Sequence, residues 1–249
     1  MRRKLVVGNW KMHGSHSVIA RLLTDFKKVL PPSLKVDIAV CPPFVYLSST
    51  QPVLGDAIAL GAQNVSTESK GAFTGEVAAS MLQDCSCTYV IVGHSERRKL
   101  FNEASAVVAE KAAVCLAHDL TPIVCVGESQ AERESGNALD VIGAQLSAVF
   151  ARLDASDLTR VVIAYEPVWA IGTGLTATPQ QAQDVHAFIR TRLAEQGAAV
   201  ADTVKILYGG SVKADNAAAL FAQPDIDGGL VGGASLNAEE FAAICKAAE

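Results

Sequence analysis

A single carboxylate stands where a buried strand is predicted to end. Val161 to Tyr165 have the apolar composition of a buried strand, Glu166 follows directly, and a loop that contains two glycines and a tryptophan comes next. In α/β proteins, reactive groups commonly lie at such a strand end. Glu166 is therefore a candidate general base. The simpler alternative is an ordinary βα loop with one surface glutamate.

The loop after this carboxylate has the composition of a hinged lid. It extends from Pro167 to Thr176. Its small residues Gly172 and Gly174 allow movement, and its apolar residues Trp169 and Ile171 are suited to seal a pocket against water.

Two glycine clusters indicate a phosphate site. YGGSV at 208–212 and LVGGASL at 230–236 each include or follow the end of a predicted strand. Glycine lets the backbone approach an anion closely, and barrel proteins often bind phosphate with the loops after their last two strands. For either cluster alone, a tight turn is an equal alternative.

The chain also contains G-x-G-x-x-A at Gly172, Gly174 and Ala177, which is a weak match to a dinucleotide-binding fingerprint. That fingerprint should follow a strand directly and open a helix, whereas this match lies in the middle of a loop. We therefore disfavour dinucleotide binding, and no P-loop sequence is present.

The sequence Gly93–Arg97 (GHSER) resembles a nucleophile elbow but has Arg97 in place of the final glycine. The crowded turn of an elbow needs that glycine, so a serine hydrolase acting through Ser95 is the weaker hypothesis. We favour a short helix that begins at Ser95, which places His94 at the positive end of the helix dipole and disfavours its protonation. A neutral His94 can donate a hydrogen bond to a substrate; a capping or buried histidine is the alternative.

Asn9 and Lys11 follow the first predicted strand. Lys11 is there either a surface cation or a charge that stabilises developing negative charge. A glutamate base, a neutral histidine, a lysine, a phosphate site and a lid together suit proton abstraction next to a carbonyl in a small phosphorylated sugar. The lid would keep water from the enediolate intermediate, which otherwise expels its phosphate.

Eight short apolar runs predict the strands that position these groups. They are Leu5–Val7, Asp37–Val40, Ile58–Gly61, Tyr89–Val92, Pro122–Val126, Val161–Tyr165, Lys205–Tyr208 and Gly229–Val231. Helices are predicted at Val18–Leu30, Ser105–His118, Asn137–Leu153, Gln180–Glu195 and Ala238–Ala247. Thr178, Pro179 and Gln181 form a helix-start signal directly after the lid.

Alternating strands and helices fit either an open doubly wound sheet or a closed barrel. In a flat sheet with strands about 4.8 Å apart, eight strands span roughly 34 Å, so one small ligand could not reach groups after strands one and eight. We therefore predict a closed eight-stranded parallel (β/α)8 barrel that forms one catalytic domain over residues 1–249, with its site at the carboxyl ends of the strands.

The composition excludes several classes of protein. Half of the residues are hydrophobic, 19% are charged, and the net charge is −5. This balance is typical of a well-packed enzyme and gives no basic surface for nucleic acid. No apolar run reaches membrane-spanning length, and the N-terminus lacks a secretory apolar core, so we expect no membrane interaction and a cytoplasmic protein with reduced cysteines.

The motifs, taken in order, resemble the triosephosphate isomerase family over essentially the whole chain. They are GNWKMHG at 8–14, GAFTGE at 71–76, YVIVGHSERR at 89–98, CVGE at 125–128, YEPVWAIGTG at 165–174, YGGSV at 208–212 and LVGGASL at 230–236. The resemblance implies the interconversion of dihydroxyacetone phosphate and glyceraldehyde 3-phosphate, a step of glycolysis and gluconeogenesis, with no cofactor and no metal.

The resemblance also implies a role for each site residue. Glu166 would be the base, His94 and Lys11 would stabilise the enediolate with Asn9 beside them, and Glu96 would position Lys11 and His94. The implied phosphate-binding residues are Gly172, Ser211, Gly232 and Gly233. The implied lid and clamp residues are Pro167, Trp169, Ile171, Thr176, Tyr208 and Leu230.

Phe73 lies in a predicted exposed loop, and exposed apolar loops usually have a partner. The resemblance implies a homodimer in which Thr74 reaches the Asn9 and Lys11 region of the other subunit and Glu76 pairs with Arg97. A noncatalytic relative that keeps the barrel but lacks turnover is a further alternative.

Overall fold

The computed structural model describes residues 2–31, 33–173 and 175–249, which form a closed barrel of parallel strands. The strands are β1 (Leu5–Asn9), β2 (Asp37–Cys41), β3 (Ala59–Ala62), β4 (Tyr89–Val92), β5 (Thr121–Val126), β6 (Val162–Tyr165), β7 (Lys205–Tyr208) and β8 (Gly228–Val231). Each strand pairs with the next in chain order, and β8 pairs with β1. The predicted closed barrel is confirmed, and the open doubly wound sheet is wrong.

Helices fill the connections between the strands. Over the described ranges they are α1 (His16–Val29), α2 (Leu47–Leu54), α3 (Ala79–Asp84), α4 (Ser95–Phe101), α5 (Ser105–Ala117), α6 (Gln130–Glu134), α7 (Ala138–Phe150), α8 (Ala155–Leu158), α9 (Pro179–Ala194), α10 (Ala198–Thr203), α11 (Ala217–Phe221) and α12 (Ala238–Ala247). The five long helices occur where they were predicted. Most of the short ones were not predicted, because one or two turns carry too little hydrophobic periodicity.

Barrel closure depends on a close approach of β8 to β1. Gly228 has φ +132°, and a β-carbon added there would lie 1.9 Å from the carbonyl oxygen of Leu5. Only glycine fits this seam without moving one of the two strands.

The apolar interior has two parts. One cluster fills the barrel itself, and a larger one lies between the strands and the surrounding helices. Cys41 and Cys125 belong to the inner cluster, and burial raises the pKa of both thiols. All six cysteines carry free thiols.

The helix after the lid begins as its local sequence predicts. Thr178 Oγ1 accepts a hydrogen bond from the backbone N–H of Gln181 at 3.2 Å, and Gln181 Oε1 accepts from the N–H of Thr178 at 3.0 Å. Pro179 is the first residue of α9. This capping box fixes the end of the lid.

Paired charges occupy the amino-terminal face of the barrel, opposite the predicted site. The Asp227 carboxylate accepts from Arg2 Nε at 2.8 Å, from Arg190 Nη2 at 2.6 Å and from the Ile206 backbone N–H at 2.9 Å. Its side chain is only 4% exposed. Within the described ranges, no helix is both long enough and apolar enough to cross a membrane.

Candidate active site

A cavity of about 650 Å³ opens at the carboxyl ends of the strands. The predicted site residues that line it are Asn9, Lys11, His94, Glu96, Ile171, Gly172, Ser211, Leu230, Gly232 and Gly233. These residues follow or end β1, β4, β6, β7 and β8, so closure of the barrel brings together side chains that are far apart in sequence. Lys99 and Lys213 also line the cavity, were not predicted, and add local positive charge for an anionic ligand.

Glu166 lies directly after β6 and is fully buried, and hydrogen-bond donors surround its carboxylate. Oε2 accepts from the backbone N–H of Ser95 at 2.9 Å, and Oε1 accepts from the Ser95 hydroxyl at 3.0 Å. His94 Nε2 lies 3.0 Å from the same Oε1. Sequence reasoning treated Ser95 only as a helix start or a nucleophile and missed this role. Because the Ser95 hydroxyl donates to a carboxylate, the geometry forms no serine–histidine pair.

The helix α4 begins at Ser95, as the sequence predicts, and His94 is its N-cap, which the sequence analysis gave as the alternative. Its Nδ1 accepts a hydrogen bond from the Glu96 backbone N–H at 3.2 Å. An accepting nitrogen carries no proton, so this contact assigns the proton of a neutral imidazole to Nε2, the atom that faces Glu166. His94 is therefore oriented to donate from Nε2.

Lys11 points its ammonium group at Glu96, with Nζ 2.5 Å from Oε1. Its backbone has φ 48°, in the left-handed region that residues other than glycine seldom adopt. The Asn9 side chain stabilises this conformation, because its Oδ1 accepts from the Lys11 N–H at 3.0 Å. Glu96 thus contacts Lys11 through its carboxylate and His94 through its backbone.

Gln63 is a site residue that sequence reasoning missed. Its Nε2 donates to the carbonyl oxygens of Lys11 at 2.9 Å and Cys41 at 2.8 Å, so it ties the Lys11 backbone to the end of β2. The available signal was a polar residue two positions after the end of a predicted strand, the same spacing that Asn9 has from the first predicted strand.

The glycine clusters form one part of the cavity wall. Gly232 and Gly233 lead into a short 3₁₀ turn at Gly233–Leu236, and Ser211 and Gly172 line the cavity too. A β-carbon added to Gly232 would lie 3.5 Å from Lys11 Cε, so the lysine adjoins this wall. Backbone groups beside a cation are suited to bind phosphate.

The first part of the predicted lid is anchored through Trp169. Its Nε1 donates to Glu128 Oε1 at 2.8 Å, and the guanidinium of Arg133 lies 4.7 Å from the centre of its ring. Glu128 is fully buried and also accepts from the Tyr165 hydroxyl at 3.1 Å. Sequence reasoning quoted Glu128 within a motif but assigned it no role.

The remaining lid predictions have different outcomes. Pro167 is buried and Thr176 is exposed, and neither lines the cavity, whereas Gly174 lies outside the described residues. Burial raises the pKa of Tyr208 to about 12. The nearby Ala177 backbone N–H favours the charged form of the phenol and so opposes that rise. The two groups do not have the geometry of a hydrogen bond. Among the described residues, the buried Tyr208 hydroxyl has no hydrogen-bond partner.

The predicted interface loop is exposed in the single chain. Phe73 is 45% exposed, Thr74 and Glu76 are exposed, and Met12, next to Lys11, is 94% exposed. Arg97 Nε contacts Glu103 of its own chain at 2.5 Å. Pairing of Arg97 with Glu76 across an interface stays a prediction.

Comparison with known proteins gives a consistent result. The family profile described as triosephosphate isomerase matches residues 4–248. The chain is 61% identical to the triosephosphate isomerase of Thiobacillus denitrificans over 249 residues, covering 100% of this chain and 99% of that protein. It is 56% identical to that of Pseudomonas paraeruginosa, with the same coverage, and 54% identical to that of Nitrosococcus oceani over the full length of both.

Proposed function

The chain belongs to the triosephosphate isomerase family, and from this premise we propose how its cavity interconverts dihydroxyacetone phosphate and D-glyceraldehyde 3-phosphate. The reaction is an intramolecular oxidoreduction that moves one proton between adjacent carbons. It takes place within glycolysis and gluconeogenesis, and we assign it to the cytoplasm. The whole chain acts as one catalytic domain.

Glu166 is the base of this proposal. Its carboxylate removes a proton from the carbon next to the carbonyl, the released electron pair forms the enediolate, and the protonated carboxyl returns the proton to the former carbonyl carbon. The proton of the substrate hydroxyl moves to the other enediolate oxygen, exchanged through His94 Nε2, so that the first oxygen becomes the new carbonyl and the second the new hydroxyl. His94 donates from Nε2 to the developing oxyanion, and Lys11 supplies a positive charge, with Asn9 and Glu96 orienting the two groups. These proton transfers need no cofactor or metal.

The observation that carries this proposal is the 3.0 Å contact between Glu166 Oε1 and His94 Nε2. A carboxylate and a neutral donor at this distance can act on a C–H group and on the carbonyl oxygen beside it once a substrate separates them. Glu166 leaves its Ser95 donors as it turns towards the substrate. Ile171 and Leu230 cover it there and exclude water.

The lid closes over the bound phosphate. Gly172, Ser211, Gly232 and Gly233 bind the phosphate through backbone N–H groups. The Tyr208 hydroxyl, which has no hydrogen-bond partner among the described residues, and Ser211 hold the closed segment between Pro167 and Thr176. Trp169 exchanges its contacts during this movement, which protects the enediolate from phosphate loss.

Substitution of the base tests the assignment. Interconversion of the two triose phosphates is followed by NMR for the wild type and for Glu166→Gln, without added metal or nicotinamide. We expect rapid turnover in the wild type and a loss of roughly a thousandfold or more in the variant, about 4 kcal/mol of barrier.

Glu110→Gln is the control for this experiment, because Glu110 pairs with Arg152 in an exposed ion pair and does not line the cavity. It should keep wild-type turnover. A folded but inert wild type would indicate a noncatalytic barrel, and an active Glu166→Gln variant would show that another group is the base.

We also propose that the active form is a homodimer. The exposed apolar side chains of Phe73 and Met12 are suited to pack against a partner surface. Because Met12 adjoins Lys11, that partner surface lies beside the site. In this arrangement Thr74 of one subunit approaches Asn9 and Lys11 of the other. Sedimentation and activity are measured over a dilution series; activity should fall as monomers form, and a fully active monomer would contradict the proposal.

A further inference from the structure

Gln145, on α7 outside the barrel, makes two hydrogen bonds to a single residue. Its Oε1 accepts from the backbone N–H of Gly127 at 2.8 Å, and its Nε2 donates to the Gly127 carbonyl oxygen at 3.0 Å. The ladder between β5 and β6 ends at Val126, so Gly127 is the first residue beyond it. The side-chain amide therefore supplies the backbone partners that a continuing strand would have supplied.

Gly127 lies directly against the backbone of the proposed base. A β-carbon added to Gly127 would lie 1.8 Å from the carbonyl oxygen of Glu166. The Glu166 backbone N–H also donates to the carbonyl of Val126 at 2.8 Å, one residue earlier. A shift of Gly127 therefore displaces the backbone from which the Glu166 carboxylate projects.

The residue on the other side of Gly127 anchors the lid. The Glu128 carbonyl accepts from the Val168 backbone N–H at 3.1 Å, and Glu128 Oε1 accepts from Trp169 Nε1 at 2.8 Å. The clamped glycine thus lies between the contact to the base and two contacts to the beginning of the lid.

We propose that Gln145 is a positioning residue that holds both Glu166 and the first part of the lid by clamping Gly127. This inference rests on the proposed function of Glu166 and of the lid. Gln145 does not line the cavity and so acts only through the backbone segment. Its position within the apolar periodicity of the predicted helix at 137–153 gave no indication of this role.

The test replaces Gln145 with Met, which keeps its length but loses both hydrogen bonds. Gln183→Met is the matched control, because Gln183 makes the same kind of two-point contact far from the cavity. Its Nε2 donates to Asp225 Oδ2 at 2.7 Å, and its Oε1 accepts from the Asp225 backbone N–H at 3.2 Å.

Steady-state kinetics and ¹⁹F NMR of 5-fluorotryptophan-labelled protein are the two readouts. The chain contains only two tryptophans, Trp10 and Trp169, and Trp169→Phe assigns their signals. Glycerol 3-phosphate, which carries the phosphate but not the carbonyl, is the probe for lid closure.

We expect Gln145→Met to lower kcat/KM about tenfold, chiefly through kcat. The Trp169 signal should shift or broaden without ligand and respond less to glycerol 3-phosphate, while the Trp10 signal stays unchanged. Gln183→Met should lower thermal stability but keep wild-type kinetics and a wild-type Trp169 signal.

Wild-type kinetics and an unchanged Trp169 signal in folded Gln145→Met would overturn the inference, as would equal kinetic losses in both variants. If Gln145→Met does not fold, Gln145→Glu replaces it under the same criteria, because the carboxylate keeps the acceptor but loses the donor to the Gly127 carbonyl. An inactive wild type would instead refute the proposed function, so the two failures are distinguishable.

Discussion

Asp227 at the amino-terminal face of the barrel and Glu166 at the carboxyl-terminal face are both buried carboxylates, but their partners differ in kind. Asp227 is held by two guanidinium groups and one backbone N–H. Glu166 is held by a hydroxyl, a backbone N–H and an imidazole, and no lysine or arginine nitrogen lies within 4.0 Å of it in the described part of the chain.

The difference matches a structural role for Asp227 and the role as a base proposed above for Glu166. Permanent cations favour the charged form of a carboxylate and hold it in place, which suits Asp227 as a structural group. The hydroxyl, N–H and imidazole donors satisfy the hydrogen bonds of Glu166 without adding a permanent counter-charge, which suits the proposed base that leaves these donors when a substrate binds. Lys11, the proposed catalytic cation, pairs with Glu96 and not with Glu166.

Of the substitutions that test these roles, Lys11→Met is expected to have the largest effect on activity. We expect kcat/KM to fall roughly a thousandfold, about 4 kcal/mol, because the charge facing the enediolate is lost. The free energy of unfolding should change little, since the Lys11 and Glu96 side chains are 29% and 45% exposed and such pairs contribute weakly.

Kinetics and urea unfolding check this expectation. Lys99→Met is the control, because it removes a cation that lines the same cavity, and it should cost much less activity. A large loss of stability with little loss of activity would instead make Lys11 a structural residue like Asp227.

The second-largest effect is a loss of stability, expected from Asp227→Asn. We expect the free energy of unfolding to fall by about 3 kcal/mol, because Arg2 and Arg190 lose a shared buried counter-charge. Activity per folded molecule should stay at the wild-type level.

Urea unfolding followed by circular dichroism measures the loss. Asp119→Asn is the matched control, because Asp119 pairs with Arg160 but its side chain is 87% exposed, and it should cost well under about 1 kcal/mol. Equal effects of the two substitutions would refute the structural role given to Asp227.

The smallest effect concerns His186, a buried histidine that takes no part in the proposed chemistry. Its Nδ1 contacts the Asp225 carbonyl at 3.2 Å, and its ring packs on Tyr165. Burial lowers the pKa of His186 from 6.5 to about 4, although the Asp225 carbonyl and Asp227 oppose that shift and Arg190 adds to it.

Because the folded-state pKa is depressed, the unfolded chain binds a proton at His186 first as the pH falls. The free energy of unfolding should therefore decrease through the window between the two pKa values, by about 2 kcal/mol from about pH 7 to about pH 5. His186→Gln, which cannot ionise, should lose that share of the pH dependence. Unfolding curves of both proteins at several pH values test this, and parallel pH profiles would contradict it.

The fold was predictable because its signals are local and repeated. Apolar runs located the strands, and Thr178 with Gln181 marked the start of α9 from contacts three residues apart. His94 at a helix start and Glu166 at a strand end were predictable for the same reason, since position relative to an element is a local property.

The supporting groups were not predictable in this way. Ser95 holds Glu166 across 71 positions, Gln63 holds Lys11 across 52, and Arg190 meets Asp227 across 37. Glutamine and serine occur widely on protein surfaces, so their types alone give no signal of such contacts.

The amino-acid sequence alone determined the alternation of strands and helices, the helix caps, the glycine clusters and the family to which the chain belongs. Only the tertiary structure decided that Ser95 donates to the Glu166 carboxylate, that Lys11 has a left-handed backbone held by Gln63, and that Gln145 makes hydrogen bonds to Gly127. The reason is physical. Helix and strand signals arise between residues a few positions apart, whereas these contacts form only after the closed barrel brings the ends of different strands and their flanking helices together.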